Sequence, residues 1–149
     1  MLDANAGVLT VSRTFDAAPE ELFDLWLDER WSAWIAPFGA GCRVLEMDAC
    51  EGGSYRIEMK MPDGRAMTFS GRYLEIDRPR RLALTWTGHH DQQTTDILVE
   101  FLVRPDGTEM RLRQSGFIEA SQCERYDRGW VCSGGAFDKL EALLEERKA

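Results

Sequence analysis

The chain has 149 residues, of which 44% are hydrophobic and 30% are charged, and this size and composition are typical of one folded domain with a real core. The net charge of −8 disfavours binding to nucleic acid or to an anionic membrane surface, because contact with phosphates requires a basic surface. No apolar run approaches the roughly 20 residues of a membrane span, and the N-terminus lacks the basic and apolar stretches of a signal peptide, so we expect a single cytoplasmic domain over residues 1–149.

Metal and disulfide sites are not predicted. The four cysteines form no Cys-x-x-Cys pair, and the two histidines, His89 and His90, lie next to each other in a polar stretch that is typical of a loop. We therefore expect reduced thiols, no metal ion and no cofactor.

The first elements are a strand and two short helices. Residues 8–15, VLTVSRTF, alternate between apolar and polar side chains and predict a strand. Pro19 then stands where a helix accepts proline, at its first position. A second short helix over residues 30–35 carries Trp31 and Trp34, which are three apart and share a face.

From residue 42 to residue 117 the apolar residues recur at every second position, which is the period of a strand. In residues 53–61, GSYRIEMKM, Tyr55, Met59 and Met61 face one way and the charged residues face the other, as on a half-buried strand. Four further segments alternate in the same way, over residues 66–76, 81–87, 96–103 and 109–114. Pro-Asp-Gly at 62–64 and at 105–107 predicts two hairpin turns. The result is an antiparallel meander.

The C-terminal segment returns to helical spacing. Ser121-x-x-Glu124 is typical of a capping box, and one apolar stripe follows at intervals of three and four over about six turns. We expect this stripe to lie on the concave face of the meander. The predicted fold class is α+β, with a curved antiparallel sheet of six or seven strands wrapped around a long C-terminal helix. Glycines at 129, 134 and 135 indicate close packing, a kink or empty space beside the helix.

Several short motifs, taken in order, carry a resemblance to a known family. They are R-x-F-D-A-x-P-E-x-L-F at 13–23, G-G-x-Y at 52–55, P-D-G at 62–64, G-R-Y-L-E-I at 71–76, R-P-x-R-L-x-L-T-W at 78–86 and G-W at 129–130. Over about residues 9–145 the chain resembles the family homologous to the activator of the heat-shock protein 90 ATPase, in the START-like, Bet v 1-type superfamily. The resemblance implies the helix-grip fold, often with a cavity between sheet and helix.

The large side chains on the predicted inner face are candidates for a ligand-binding lining. Methionine and aromatic side chains form an adaptable apolar surface that suits a small hydrophobic ligand. We expect the lining to consist of Trp34, Phe38, Tyr55, Met59, Met67, Phe69, Trp86, Phe101, Gln114, Phe117, Trp130 and Phe137.

Five of the inner-face and nearby residues have individual interpretations. Trp34 and Phe38 are placed at the mouth of the cavity. Gln114 either orients a ligand or hydrogen-bonds to a neighbour, since a buried amide needs a partner. Trp26 is interpreted as core, and Trp31 as a partly exposed residue that contacts a protein partner.

The first functional hypothesis is binding of a small hydrophobic or amphipathic molecule between the sheet and the C-terminal helix. The resemblance also suggests a chaperone-related or signalling interaction module connected with the stress response. A third hypothesis is a cyclase or hydrolase that works through its cavity. No catalytic triad or phosphate-binding loop has diagnostic spacing, so an enzyme is not the first expectation. The expected partners are a small ligand and, under the second hypothesis, a protein, and both a monomer and a homodimer stay open.

Overall fold

The computed structural model describes residues 7–147. Residues 1–6 therefore lie outside the described residues, and so does most of the N-terminal stretch in which no signal peptide is expected. The seven strands are β1 Val8–Phe15, β2 Gly41–Met47, β3 Ser54–Lys60, β4 Ala66–Asp77, β5 Arg81–Gly88, β6 Thr94–Arg104 and β7 Gly107–Ser115. They form one antiparallel sheet in the order β1-β7-β6-β5-β4-β3-β2.

The four helical elements are α1 Pro19–Asp24, a 3-10 helix Glu29–Ala33, α2 Ala120–Val131 and α3 Ala136–Glu146. None of the helices within residues 7–147 is long and apolar enough to cross a membrane. The predicted α+β helix-grip fold is confirmed, with two short helices after the first strand and the long C-terminal helical segment spanning Ala120 to Glu146.

Both predicted hairpin turns are confirmed. The Pro-Asp-Gly turn at 62–64 joins β3 to β4, and Gly64 has the positive φ of 92° that the turn requires. The turn at 105–106 joins β6 to β7, where Arg104 pairs with Gly107. A Cβ atom at Gly107 would lie 2.0 Å from the carbonyl oxygen of Phe15, so glycine lets β1 end against the start of β7.

The C-terminal helical segment is interrupted between α2 and α3. Cys132 is extended, and Gly134 has a φ of +82°, which ends the first helix before the second begins. The capping-box prediction is wrong, because α2 begins at Ala120 and its N-cap residue, Glu119, makes no side-chain capping bond. One long stripe therefore becomes two shorter helices that meet the sheet separately.

The aromatic core lies between the sheet, the 3-10 helix and α3. Trp26 is buried as predicted, and its indole N–H donates to the Sδ atom of Met110 at 3.4 Å. Trp34 is also fully buried, with its N–H donating to the Leu25 carbonyl at 3.0 Å, so its predicted position at a cavity mouth is wrong. The ring centroids of Trp26 and Trp34 are 4.9 Å apart in an edge-on contact.

The predicted partial exposure of Trp31 is also wrong, since its exposed fraction is 0%. A 3-10 helix has three residues per turn, so Trp31 and Trp34 fall on the same inward side of Glu29–Ala33 and its C-cap. The polar neighbours Glu29 and Arg30 are exposed on the other side. Within the described chain, the indole N–H of Trp31 has no hydrogen-bond partner.

Candidate functional site

A cavity of about 400 Å³ lies between the β3–β5 part of the sheet and α2. Its volume is near the lower end of the roughly 300–1,000 Å³ that small-molecule sites occupy. The sheet side of the wall is apolar. Met59 of β3 pairs directly with Met67 of β4, and the Phe69 ring stacks 4.9 Å from the ring of Trp86 on β5.

The helix side of the wall comes from one face of α2. Gln122, Tyr126 and Trp130 are four residues apart and line the cavity together with Arg125 and Gly129. A Cβ atom at Gly129 would lie 3.6 Å from Pro37, and Pro37 also lines the cavity. The α2 face therefore carries polar groups that the sheet face lacks.

A hydrogen bond crosses the cavity wall between sheet and helix. The Trp86 indole N–H donates to the Tyr126 hydroxyl oxygen at 3.0 Å. Burial raises the pKa of Tyr126 to about 12, against the lowering effect of this hydrogen bond. The phenol therefore keeps its proton at neutral pH and is a hydrogen-bond donor.

Charged side chains stand at the edge of the cavity. The Asp91 carboxylate accepts hydrogen bonds from the Gln122 amide at 3.1 Å and from the Gln93 backbone N–H at 3.0 Å, and it lies 3.3 Å from Nε2 of His90. Arg65 is paired with a residue outside the wall, Asp63, at 2.7 Å. Arg125 is exposed and forms no ion pair with the described residues.

The structure places five of the twelve predicted lining residues on this wall, namely Met59, Met67, Phe69, Trp86 and Trp130. All five occupy the inner face that strand or helix periodicity assigned to them. Contact between these residues and a ligand stays a prediction.

The other seven lie away from the wall: Trp34, Phe38, Tyr55, Phe101, Gln114, Phe117 and Phe137. All of them except Phe38 are buried, and they fill the core around α1, the 3-10 helix and α3 or pack on wall residues from outside the cavity. Phe101 packs on Phe23 of α1, with ring centroids 5.2 Å apart. Phe137 packs edge-on against Phe15, and Phe117 lies behind Tyr126.

Phe38 and Tyr55, two more of the seven residues away from the wall, differ in their exposure to solvent. Phe38 is 48% exposed and has a φ of +55°, and its backbone N–H donates to the Gly134 carbonyl at 2.8 Å. It belongs to the loop next to the cavity but not to the wall. The Tyr55 hydroxyl donates to the Thr85 carbonyl and is buried under the sheet surface.

Gln114 is fully buried and hydrogen-bonded to its neighbours. Its amide nitrogen donates to Thr95 Oγ1 at 2.8 Å, and its amide oxygen accepts from the Trp130 indole at 3.0 Å. Of the two interpretations of Gln114, the structure therefore supports the one in which its amide hydrogen-bonds to neighbouring side chains. Gln114 fixes the orientation of Trp130, which is itself a wall residue.

Sequence reasoning missed the remaining wall residues, which are Ile35, Pro37, Met61, Arg65, His90, Asp91, Gln122, Arg125, Tyr126, Gly129 and Ala136. Two of them carried a usable signal. Met61 shares the strand parity of Met59, and Tyr126 belongs to the helical stripe that includes Trp130. His90 and Asp91 belong to a turn, and no periodicity predicts where a turn places its side chains.

Each of the three glycines of the C-terminal segment fits a different one of the proposed explanations, which were empty space, a kink and close packing. Gly129 borders the cavity. Gly134, with its positive φ, makes the interruption between the helices. A Cβ atom at Gly135 would lie 2.7 Å from the Gly129 carbonyl oxygen, so close backbone packing explains this residue.

Comparison with known proteins gives a family match over most of the chain. The family model described as Activator of Hsp90 ATPase homolog 1-like protein matches residues 16–145. No match to the chain was found among curated proteins.

Solved structures from several bacteria share the fold. A crystal structure of a protein from Chromobacterium violaceum is 25% identical, covering 93% of this chain and 97% of that one, with a TM-score of 0.81. The AHSA1 protein from Silicibacter pomeroyi is 22% identical, covering 94% and 99%, with a TM-score of 0.78. A solution structure from Arthrobacter aurescens is 20% identical, covering 98% and 90%, with a TM-score of 0.81. These similarities span nearly the whole length of each chain.

Proposed function

The chain belongs to the family of Activator of Hsp90 ATPase homolog 1-like proteins, and on that basis we propose that it binds a small hydrophobic or amphipathic molecule between the sheet and α2. The fold of this family generally has a ligand-binding cavity. The observation that carries the proposal is the cavity of about 400 Å³ with its wall of methionine and aromatic side chains.

The wall chemistry supports an apolar ligand body. Met59, Met61 and Met67 have flexible thioether side chains that adjust to ligands of different shape. Phe69 and Trp86 add a flat apolar surface against which a ring or chain can pack. A few polar groups on α2 would orient the ligand, which is the usual division of roles in small-molecule sites.

The two alternative functions came from the family resemblance, and the residues considered for them do not support them. Trp31, the residue expected to mark a protein-binding patch, is buried. Gln114, the polar candidate for orienting a ligand, has its amide bonded to Thr95 and Trp130. We further propose that residues 1–149 act as one cytoplasmic domain.

The test is calorimetric titration of the purified protein with phenylbutanol, a small neutral amphiphile. We expect saturable binding at one site and a higher melting temperature, because a ligand that binds only the folded state stabilises it. Native mass spectrometry of freshly purified protein would detect a molecule retained from the cell.

A matched pair of substitutions on β4 locates the binding site. Met67→Trp adds an indole to the cavity wall and should abolish binding. Leu74→Trp adds the same indole on the same strand at a side chain that is 54% exposed, and binding should be retained. Equal binding by both variants, or no binding by the unmodified protein, would contradict the proposal.

A further inference from the structure

The polar groups around the cavity differ in how many of their hydrogen bonds are already made within the protein. Oδ1 of Asp91 accepts from the Gln93 N–H, and Oδ2 accepts from the Gln122 amide and lies 3.3 Å from His90 Nε2. Each oxygen of this carboxylate thus already has a donor within the protein. Arg65 already has an anionic partner, because its guanidinium Nε and its backbone N–H both bond to Asp63.

Two donors on the α2 side of the wall have bonding capacity left. Arg125 makes no hydrogen bond or ion pair with the described residues, although its guanidinium has five N–H donors, so unlike Arg65 it has no anionic partner among them. Tyr126 accepts from Trp86, and within residues 7–147 its own O–H has no acceptor. The amide oxygen of Gln122 accepts from no donor in the described part of the chain, but it carries no charge.

We propose, building on the proposed function, that the ligand is a small amphipathic carboxylic acid whose carboxylate is bound by Arg125 and Tyr126 while its apolar body lies against Met59, Met67 and Trp86. A guanidinium matches a carboxylate with two parallel N–H···O bonds, and a phenol O–H adds a third. Arg125 and Tyr126 both line the cavity from α2.

The charge balance at the mouth favours a carboxylate over two other headgroups. A phosphate would bring a second negative charge close to the carboxylate of Asp91. An ammonium group would meet the cationic Arg125 and would compete with the Gln122 amide for Asp91. A single negative charge suits one free guanidinium. Because the whole chain has a net charge of −8, this preference has to come from local contacts and not from long-range attraction.

Three probes with one phenylbutyl body and different headgroups test the inference, namely phenylbutyrate, phenylbutanol and phenylbutylamine. Titration calorimetry at neutral pH should show that the acid binds about tenfold more tightly than the alcohol. A gain in affinity of about this size is expected from one charge-assisted hydrogen-bonded pair. The amine should bind more weakly than the alcohol.

Substitutions on α2 assign the headgroup contacts. Arg125→Gln should remove the preference for the acid and leave the affinity for the alcohol nearly unchanged, and Tyr126→Phe should reduce the preference in part. Arg128→Gln is the matched control, because Arg128 is an exposed arginine of the same helix that does not line the cavity. The preference for the acid should survive this control substitution.

Each outcome separates this inference from the proposed function. Equal affinity for acid and alcohol would overturn the carboxylate inference and leave the proposed function standing. Tightest binding of the amine would also overturn it and identify Asp91 as the recognition group. Binding of none of the three probes would overturn both proposals.

Discussion

The two C-terminal helices have similar lengths but opposite relations to the sheet. α3, with 11 residues, buries Ala136, Phe137, Leu140 and Leu144, whereas α2, with 12 residues, buries Gln122 and Trp130. α3 places its buried side chains in the core, and the cavity of about 400 Å³ lies between α2 and strands β3–β5. One helical stripe thus both fills the core and borders an open cavity, and the interruption at residues 132–135 separates the two roles.

Polar contacts hold α3 and the loop at residues 36–40 together. The Lys139 ammonium donates to the carbonyls of Ala36 and Ala40, and the Phe38 N–H donates to Gly134. α2 is joined instead to the sheet, through the hydrogen bonds of Tyr126 with Trp86 and of Trp130 with Gln114, and its first two turns present polar side chains to the cavity. We therefore regard α3 as part of the packed core and α2 as the wall of the site.

The largest expected effect is the loss of a packed aromatic side chain from α3. Phe137 is fully buried and contacts Phe15, Trp130 and the guanidinium of Arg13. Phe137→Ala should lower the free energy of unfolding by about 3–5 kcal/mol, because it removes apolar contacts and leaves a hole. Tyr126→Ala on α2 should cost clearly less, since Tyr126 already borders empty space. Urea denaturation of both variants measures the difference.

Equal losses for Phe137→Ala and Tyr126→Ala would break the comparison between a packed helix and a wall helix. Phe137→Leu keeps most of the apolar volume and should recover much of the lost stability. If Phe137→Leu were as unstable as Phe137→Ala, the hole could not be the main cause.

Smaller changes in stability, of opposite sign, are expected at two glycines of the C-terminal helical segment. Gly134→Ala should destabilise by about 1–2 kcal/mol, because alanine is strained at a positive φ. Gly129→Ala should stabilise by up to about 1 kcal/mol, because alanine favours the interior of α2 and its Cβ would meet Pro37 at an ordinary 3.6 Å. Thermal unfolding of the two variants measures both changes. A gain at Gly134 or a loss at Gly129 would contradict the assignment of the interruption to Gly134.

Much of the fold could be predicted because it depends on local patterns. Residues 8–15 alternate over the same span that forms β1, and the two Pro-Asp-Gly turns set the pairing of β3 with β4 and of β6 with β7. The interruption of the C-terminal helix could not be predicted from periodicity, because Ser133 continues the helical spacing across it. Only the backbone angle at Gly134 reveals the break.

The candidate site was predicted in part, and the physical reason differs between its two walls. On the sheet, strand parity decides the face, so Met59, Met67, Phe69 and Trp86 were assigned to the inside before the structure was known. On the helix and in the turns, the position depends on how distant segments pack. Arg125 stands at the edge of the apolar stripe, where sequence spacing does not distinguish solvent from cavity.

The smallest expected effect is the pH dependence of the junction between the helices. Asp138 of α3 accepts from the Gly134 N–H at 2.9 Å and pairs with Arg13 at 2.9 Å, and these two contacts lower its pKa below the usual 3.8. The unfolded chain therefore takes up this proton at a higher pH than the folded protein does. The stabilisation is complete above pH 3.8 and is lost as the pH falls through the lower folded-state value. In Asp138→Asn this step is absent, so the stability of the two proteins should converge only in that acidic range. Parallel curves of unfolding free energy against pH would contradict this prediction. They would show that the Asp138 carboxylate does not stabilise the junction and that the backbone angle at Gly134 alone separates α2 from α3.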